Sequence, residues 1–510
     1  MRPVGVSPGT GVAVPGRDGP SERPRWHLGA TWVAVGFAGA ALMALAGPRL
    51  VGSEPAWWYS VRVPPGRAGN MVAFYVGMAA LGVGWFGLGR RLASEPGARP
   101  REVAVVAALW CVPLVVGPAL FSGDMYSYLA QGTILHLGHD PYREAPTVLA
   151  RLGHARVLDA VSPFWRSTTA PYGPLFIGIV SGIVSVTGSN LVAGVVGARL
   201  VEVAGVALLA VFAPRLARVS GADPARAVWI AAASPLVLAQ LVAAGHNDAL
   251  MAGLVVAGVT LALEGRTLPG VALCALGATV KVPAAVAIVF LAVAAARLLT
   301  ARAARLRLLG SVVALTGAVA AVVSAATGTG AQWMSAAVLA TPAKVHLAIT
   351  PVTALAWSAA KALGAVGVSL DYRVLDRALG DVALVAIVAF AGRLLLRTRA
   401  DRVVADLGAA LCVAALLGPA TWPWYFCWGI VLLAAWPGAQ RSRLVAFGVA
   451  ASVLLVKPDG ILAVPLSWSP VALACYLVAG VLAARWWRHR AQEARRAAPP
   501  VRAGAATAGP

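Results

Sequence analysis

A carboxylate set among aromatic residues is the feature of this chain best suited to chemistry. The segment Gly123-Asp124-Met125-Tyr126-Ser127-Tyr128 leads into Gln131-Gly132, then Gly138-His139-Asp140-Pro141-Tyr142-Arg143, then Phe164-Trp165-Arg166 and Ala170-Pro171-Tyr172-Gly173-Pro174. Asp124 comes just after an apolar block. A carboxylate there is partly withdrawn from water, which strengthens it as a base. A general base needs only to reach the hydroxyl it deprotonates. The competing reading is a helix cap, because Asp often starts a helix by accepting its unbonded N–H groups; one residue can do both.

Further polar groups interrupt apolar blocks. Ala244-Gly245-His246-Asn247-Asp248 is a tight turn, read either as a cap by Asn247 or Asp248 or as part of a site. His246 alone lacks the spacing of a metal site. Lys281, in Val280-Lys281-Val282-Pro283, must face a polar cavity or snorkel; if its block runs outward it could meet a lipid phosphate. Arg199 and Glu202, three apart within a block, read as a structural ion pair. Thr341-Pro342-Ala343-Lys344-Val345-His346 and Thr421-Trp422-Pro423-Trp424-Tyr425 add polar and aromatic groups. The second is either an aromatic belt or a surface for stacking a sugar ring. Nucleotide and zinc mechanisms have no motif here, since the sequence holds no Walker A loop or HExxH; its GxSxG string, Gly5-Val6-Ser7-Pro8-Gly9, lies ahead of the first apolar block and not at a strand-to-helix turn, so it does not indicate a serine mechanism. The five cysteines (Cys111, Cys274, Cys412, Cys427, Cys475) are scattered and read as small packing residues.

Apolar blocks must position these groups. Of 510 residues, 59% are hydrophobic and 12% charged, with mean hydropathy +0.77; a soluble chain carries about 25% charge. Blocks of about 17–25 residues match a ~30 Å hydrocarbon core. About 14 spans are expected, near 29–47, 71–89, 103–121, 191–213, 226–243, 248–264, 268–282, 284–300, 308–327, 379–396, 403–419, 424–437, 443–457 and 466–485. Residues 1–27 and 488–510 are read as disordered cytoplasmic tails around a membrane domain at 28–487, with the first block retained rather than cleaved.

The net charge of +22 is explained by basic inner loops rather than by nucleic acid. With the N-terminus inside, Arg90/Arg91, Arg215/Arg218, Arg297/Arg302, Arg393/Arg397 and Arg441/Arg443 all fall inside. That alternation requires 174–188 to stay on the outer side as a re-entrant or surface-lying segment, and 350–365 is read the same way. The loop 122–173 then lies outside. Its apolar spacing from Tyr126 to Leu137 predicts a short interfacial helix, apolar face down, ended by Asp140-Pro141.

On these residues the chain resembles the GT-C glycosyltransferases, multi-span enzymes that take sugars from polyprenyl phosphates. An acidic residue just after an early span, then Tyr, Gly and Pro-Tyr, carries the resemblance. It is closer to the polyprenol-phosphomannose-dependent α-1,6-mannosyltransferases of lipomannan synthesis, the MptA/MptB type, through residues 123–128, 138–142, 165–174 and Gly-His-Asn-Asp-Ala-Leu-Met (245–251). The resemblance implies an all-α polytopic membrane protein, a GT-C-like bundle with a helical first outer loop. It implies an inverting transfer of mannose from a β-linked polyprenyl phosphate to a lipid-anchored α-1,6-mannan, the lipomannan and lipoarabinomannan core. Asp124 would be the base for the acceptor's 6-hydroxyl. Lys281, Arg143, Arg166 and His346 would face the phosphate. Tyr126, Tyr128, Asp140, Tyr142, Tyr172, His246, Asn247, Asp248 and Trp422 would contact sugar or support Asp124. The lipid-linked donor calls for no nucleotide or other cofactor; a divalent metal is left open. The implied partners are the donor, the mannan acceptor and membrane lipids. The implied location is the cell membrane, with termini in the cytosol and the site outside. Three other readings stand beside this one: a different polyprenyl-phosphate sugar such as arabinose, a polyprenyl-lipid flippase, and a non-catalytic assembly factor. A flippase would usually show inverted repeats, which the sequence lacks.

Overall fold

Apolar runs of this length satisfy their backbone only as helices, and a computed structural model shows the helices packed around a buried polar centre. It describes residues 28–50, 66–94, 97–335, 349–442, 445–449, 457–458 and 466–497, and among these the regular structure is helical. The order is α1 (Ala30–Ala46), α2 (Arg67–Ser94), α3 (Pro100–Val116), α4 (Asp124–His136), the short α5 (Val148–Arg151) and α6 (Ala155–Ala160), α7 (Pro174–Thr187), α8 (Leu191–Val219), α9 (Pro224–Ala231), α10 (Asp248–Leu263), α11 (Thr267–Ala278), α12 (Ala285–Ala296), α13 (Arg302–Thr327), α14 (Pro351–Ala365), α15 (Tyr372–Leu395), α16 (Val403–Leu417), α17 (Cys427–Leu433), α18 (Pro437–Gln440) and α19 (Ser469–Ala497).

Among the described residues five helices are long and apolar enough to cross a membrane: α2, α8, α13, α15 and the Leu466–Trp486 stretch that contains most of α19. Counting the bent pair Val237–Ala243 and α10 as one broken span makes six. The other apolar helices are shorter than the expected spans. α11 and α12 have 12 residues each, about 18 Å long. The two segments expected not to cross are helical too, as α7 and α14. At the C-terminus α19 runs to Ala497, into the segment expected to be disordered.

The run 226–243, expected as one span, is broken. Pro235 cannot donate to the carbonyl four residues back, and its ring crowds that turn, so α9 stops at Ala231. The chain resumes as a π-helix, Val237–Ala243, then bends by 117° into α10. A π-turn inside a helix is rare and often marks a functional site.

The core joins α1–α4 to α7–α12, α16 and α17. Trp85 on α2 and Trp229 on α9 stack at 4.3 Å, and each indole donates to the other's carbonyl at 2.9 Å. By contrast α13, α15 and α19 are only 11%, 6% and 6% buried over their most apolar stretches, and present side chains such as Val313, Val385 and Val478 outward. Such exposed apolar faces suit contact with lipid. The helix expected to lie on the membrane surface, α4, is instead enclosed: every residue from Met125 to Ile134 is buried, between α7 and α8.

Candidate active site

Asp124 is aimed by an irregular approach. After α3 ends, Gly117 is extended and Phe121 takes a left-handed φ of 65°, with its N–H donating to the Pro458 carbonyl at 2.7 Å. Ser122 Oγ accepts the Asp124 N–H at 3.1 Å. The Asp124 carboxylate is therefore not the cap of α4, and its side chain is 15% exposed.

The turn before α10 lies directly against it. Gly245 has φ 69°, and a Cβ there would stand 2.4 Å from the Met125 sulfur on α4, so only glycine fits. His246 Nδ1 is 3.4 Å from Asp124 Oδ2, close enough for attraction yet outside hydrogen-bond geometry. The imidazole is buried, with neither nitrogen hydrogen-bonded, and Asn247 beside it is buried with its amide likewise unbonded. Buried polar groups are normally satisfied within the fold; four unbonded atoms next to a partly open carboxylate point to groups that meet a ligand. The His246 ring stacks on Trp424 at 3.7 Å, and Trp424 on Trp422 at 4.8 Å.

Asp248, the other candidate cap, turns away from its helix. Lys281 Nζ donates to both its oxygens, at 2.9 and 2.8 Å, and the Trp428 indole donates to Oδ1. The ammonium lies 4.8 Å from the Tyr425 ring centre and 6.0 Å from that of Tyr172. Lys281, with a side chain 13% exposed, is thus charge-balanced inside an aromatic box. Tyr172 is brought there by its neighbours: Gly173 N–H donates to Val280 O at 2.9 Å and Leu175 N–H to Thr279 O at 3.0 Å. Tyr128 meets the Tyr172 ring edge-on at 4.9 Å. Tyr142 Oη donates to the Tyr172 carbonyl at 2.9 Å. Burial pushes the Tyr142 and Tyr172 phenols well above their ordinary range, so both stay neutral donors.

The structure therefore gathers Asp124, His246, Asn247, Asp248, Lys281, Tyr128 and Tyr172, with Trp422 at the far end of the ring stack. It leaves others in the loop. Asp140 accepts the Tyr142 N–H at 2.8 Å, and Arg143, 68% exposed, sits 3.4 Å from it. Arg166 donates to the carbonyls of Val161 and Asp159. Tyr126 is buried in α4. His346 lies outside the described residues. Trp428 escaped the sequence reading, although its spacing of four from Trp424 places both on one helical face.

The comparisons with known proteins fall on these segments. Residues 27–297 match the family model for the alpha-(1->6)-mannopyranosyltransferase N-terminal domain, and 352–488 match the MptB C-terminal domain. Alpha-(1->6)-mannopyranosyltransferase A of Mycobacterium tuberculosis is 34% identical over 84% of both chains. A second such enzyme of that organism is 34% identical over 81% of this chain and 80% of its own, and a probable one of Mycolicibacterium smegmatis 34% over 80% of each. No solved structure matches significantly. The chain is a glycosyltransferase and belongs to the MptA/MptB family of α-(1→6)-mannopyranosyltransferases.

Proposed function

We propose that the enzyme moves mannose from polyprenyl-phosphomannose to the 6-hydroxyl of a growing α-1,6-mannan, the lipomannan core, on the outer face of the cell membrane. The observation that carries this is the Asp124 carboxylate, free of capping duty, partly open and held against His246. In one displacement the 6-hydroxyl oxygen attacks C1 of the donor mannose, its proton passes to Asp124, and the C1–O bond to phosphate breaks with its electron pair leaving on the polyprenyl phosphate. Attack opposite the leaving group converts a β-linked donor into an α-linked product. The His246, Asn247 and Trp424 wall holds the acceptor hydroxyl within reach, where orientation counts for most. Developing charge on the phosphate calls for a fixed cation. Arg143 is exposed and 3.4 Å from Asp140; Lys281 keeps one N–H beyond the two it gives Asp248, and Arg166 keeps Nη1 beyond the loop carbonyls it ties. The step as written uses no cofactor.

The outer-face assignment is supported by which helix ends are basic. Arg215 and Arg218 lie near the end of α8 and Arg266 just past α10, with Arg215 paired to Glu264 between them, and Asp248 opens α10 at its other end, about 24 Å away. The test is transfer in membranes supplied with labelled polyprenyl-phosphomannose and a short α-1,6-mannoside. Wild type should extend the acceptor, and Asp124→Asn, equally abundant, should be slower by about 10²–10⁴-fold. Equal transfer by both would show that Asp124 is not the base; no transfer by wild type would overturn the donor assignment, and polyprenyl-phosphoarabinose would be tried next.

A further inference from the structure

Two buried polar side chains on α8 remain outside this mechanism, and the residues they hold are telling. Arg199, fully buried, donates through one terminal nitrogen to the carbonyls of Val115 and Gly117 at 2.8 and 2.7 Å. Through the other it donates to those of Pro118 and Ala243 at 3.0 and 2.9 Å. The first three are carbonyls set free where α3 ends, a place that also favours a cation. The fourth ends the π-helix, and Leu120 N–H donates to it as well at 3.3 Å. One guanidinium thus ties together the segment leading into Asp124 and the segment leading into His246.

One turn on, Glu202 is equally buried, and its Oε2 accepts the Leu250 N–H at 3.3 Å, in the first turn of α10. A turn further, a Cβ on Gly205 would lie 2.3 Å from the Ala249 backbone, so glycine lets α8 pass directly beneath the turn. Positions 199, 202 and 205 step by three along one side of a helix. They grip residue 243 before the turn, residue 250 after it, and the backbone between.

We propose that Arg199, Glu202 and Gly205 form a brace that sets the separation of Asp124 and His246, making them positioning residues for transfer that never touch substrate. This rests on Asp124 being the base. Lysine cannot replace Arg199: its single ammonium lacks the planar fork that reaches carbonyls on two segments. A carboxamide can replace Glu202, because its oxygen still accepts the Leu250 N–H.

The experiment uses the full-length enzyme in nanodiscs. Arg199→Lys is expected to lower kcat by about 10²-fold while both KM values stay within about threefold, as for a misplaced catalytic group. Glu202→Ala should lose at least about tenfold in kcat and Glu202→Gln should keep most of it. Amide hydrogen exchange is read in parallel. Residues 119–121 and 244–250 should exchange about tenfold faster or more in Arg199→Lys and Glu202→Ala, with the remaining helices unchanged. Retained kcat in Arg199→Lys, a change confined to KM, equal behaviour of the two Glu202 variants, or unaltered exchange would each overturn the brace. Should Arg199→Lys fail to accumulate, the Glu202 pair and the exchange data decide. Exchange needs no substrate, so a wild type silent with polyprenyl-phosphomannose would count against the proposed function alone.

Discussion

The two segments that supply the site are built in opposite ways. The loop 122–173 is long and supports itself: Arg166 ties Val161 and Asp159, Thr147 N–H donates to the Arg166 carbonyl, Ala170 N–H to that of Pro141, and His139 meets Glu144 at 2.9 Å. The turn 244–248 is short, buried and held from outside by α8, with its side chains reaching to Asp124, Lys281, Trp428 and Trp424. Polar residues in the loop mostly make the loop, Asp124, Tyr128 and Tyr172 excepted, whereas those in the turn make the site. Changes in the turn should therefore cost rate or strand a charge, and changes elsewhere in the loop should cost a modest amount of stability.

The largest effect outside Asp124 is expected at Lys281. Replacing it with Met leaves Asp248 buried without its counter-charge, which costs about 3–5 kcal/mol and should appear as a sharp fall in thermal midpoint in detergent. Adding Asp248→Asn removes the stranded charge and should restore most of the loss, a coupling a double-mutant cycle reads directly. If Lys281→Met is as stable as the double variant, the pair is not what holds α10 to the 279–282 segment.

Next comes His246. Substitution by Phe keeps a ring to stack on Trp424 but deletes the nitrogens beside Asp124. Those nitrogens are open to bond the substrate, and an ordinary hydrogen bond contributes about 0.5–1.5 kcal/mol, so kcat should fall by about 2- to 13-fold with the thermal midpoint held. A stability loss with kcat intact would make His246 a packing residue and dissolve the contrast between turn and loop.

How far the sequence foretold this depends on distance along the chain. The limits of α10, expected at 248–264 and found at Asp248–Leu263, and the start of α8 at residue 191 were legible because polar turn residues bound apolar runs there. The break after Ala231 was not, since between Arg226 and Gln240 the run is apolar and only Ser234-Pro235 hints at it. The burial of α4 was hidden because its cover comes from α7 and α8, about 50 or more residues later, and half-apolar spacing alone reads as a surface helix. Asp124 stood out through its neighbours, but the partners of Asp248 did not: Lys281 is 33 residues away and Trp428 is 180. Arg199 and Glu202, three apart, suggested each other, while the structure shows them reaching for backbone groups 44 to 84 residues away in sequence.

The smallest effect, and the sharpest test of the contrast, is at Tyr142. Its ring packs with Ala170, Ile177 and Trp333, and its hydroxyl donates to the Tyr172 carbonyl. Tyr142→Phe keeps the ring and removes one hydrogen bond, for about 1 kcal/mol of stability. Tyr172, which faces Lys281, should then be held less firmly, so the acceptor KM should rise a few-fold while kcat, set at Asp124, stays near wild type; loss of uniform binding has that signature. A collapse of kcat comparable to that of Asp124→Asn would mean that Tyr142 acts on the reacting atoms, and the 138–143 stretch would have to be counted as part of the machinery rather than as its frame.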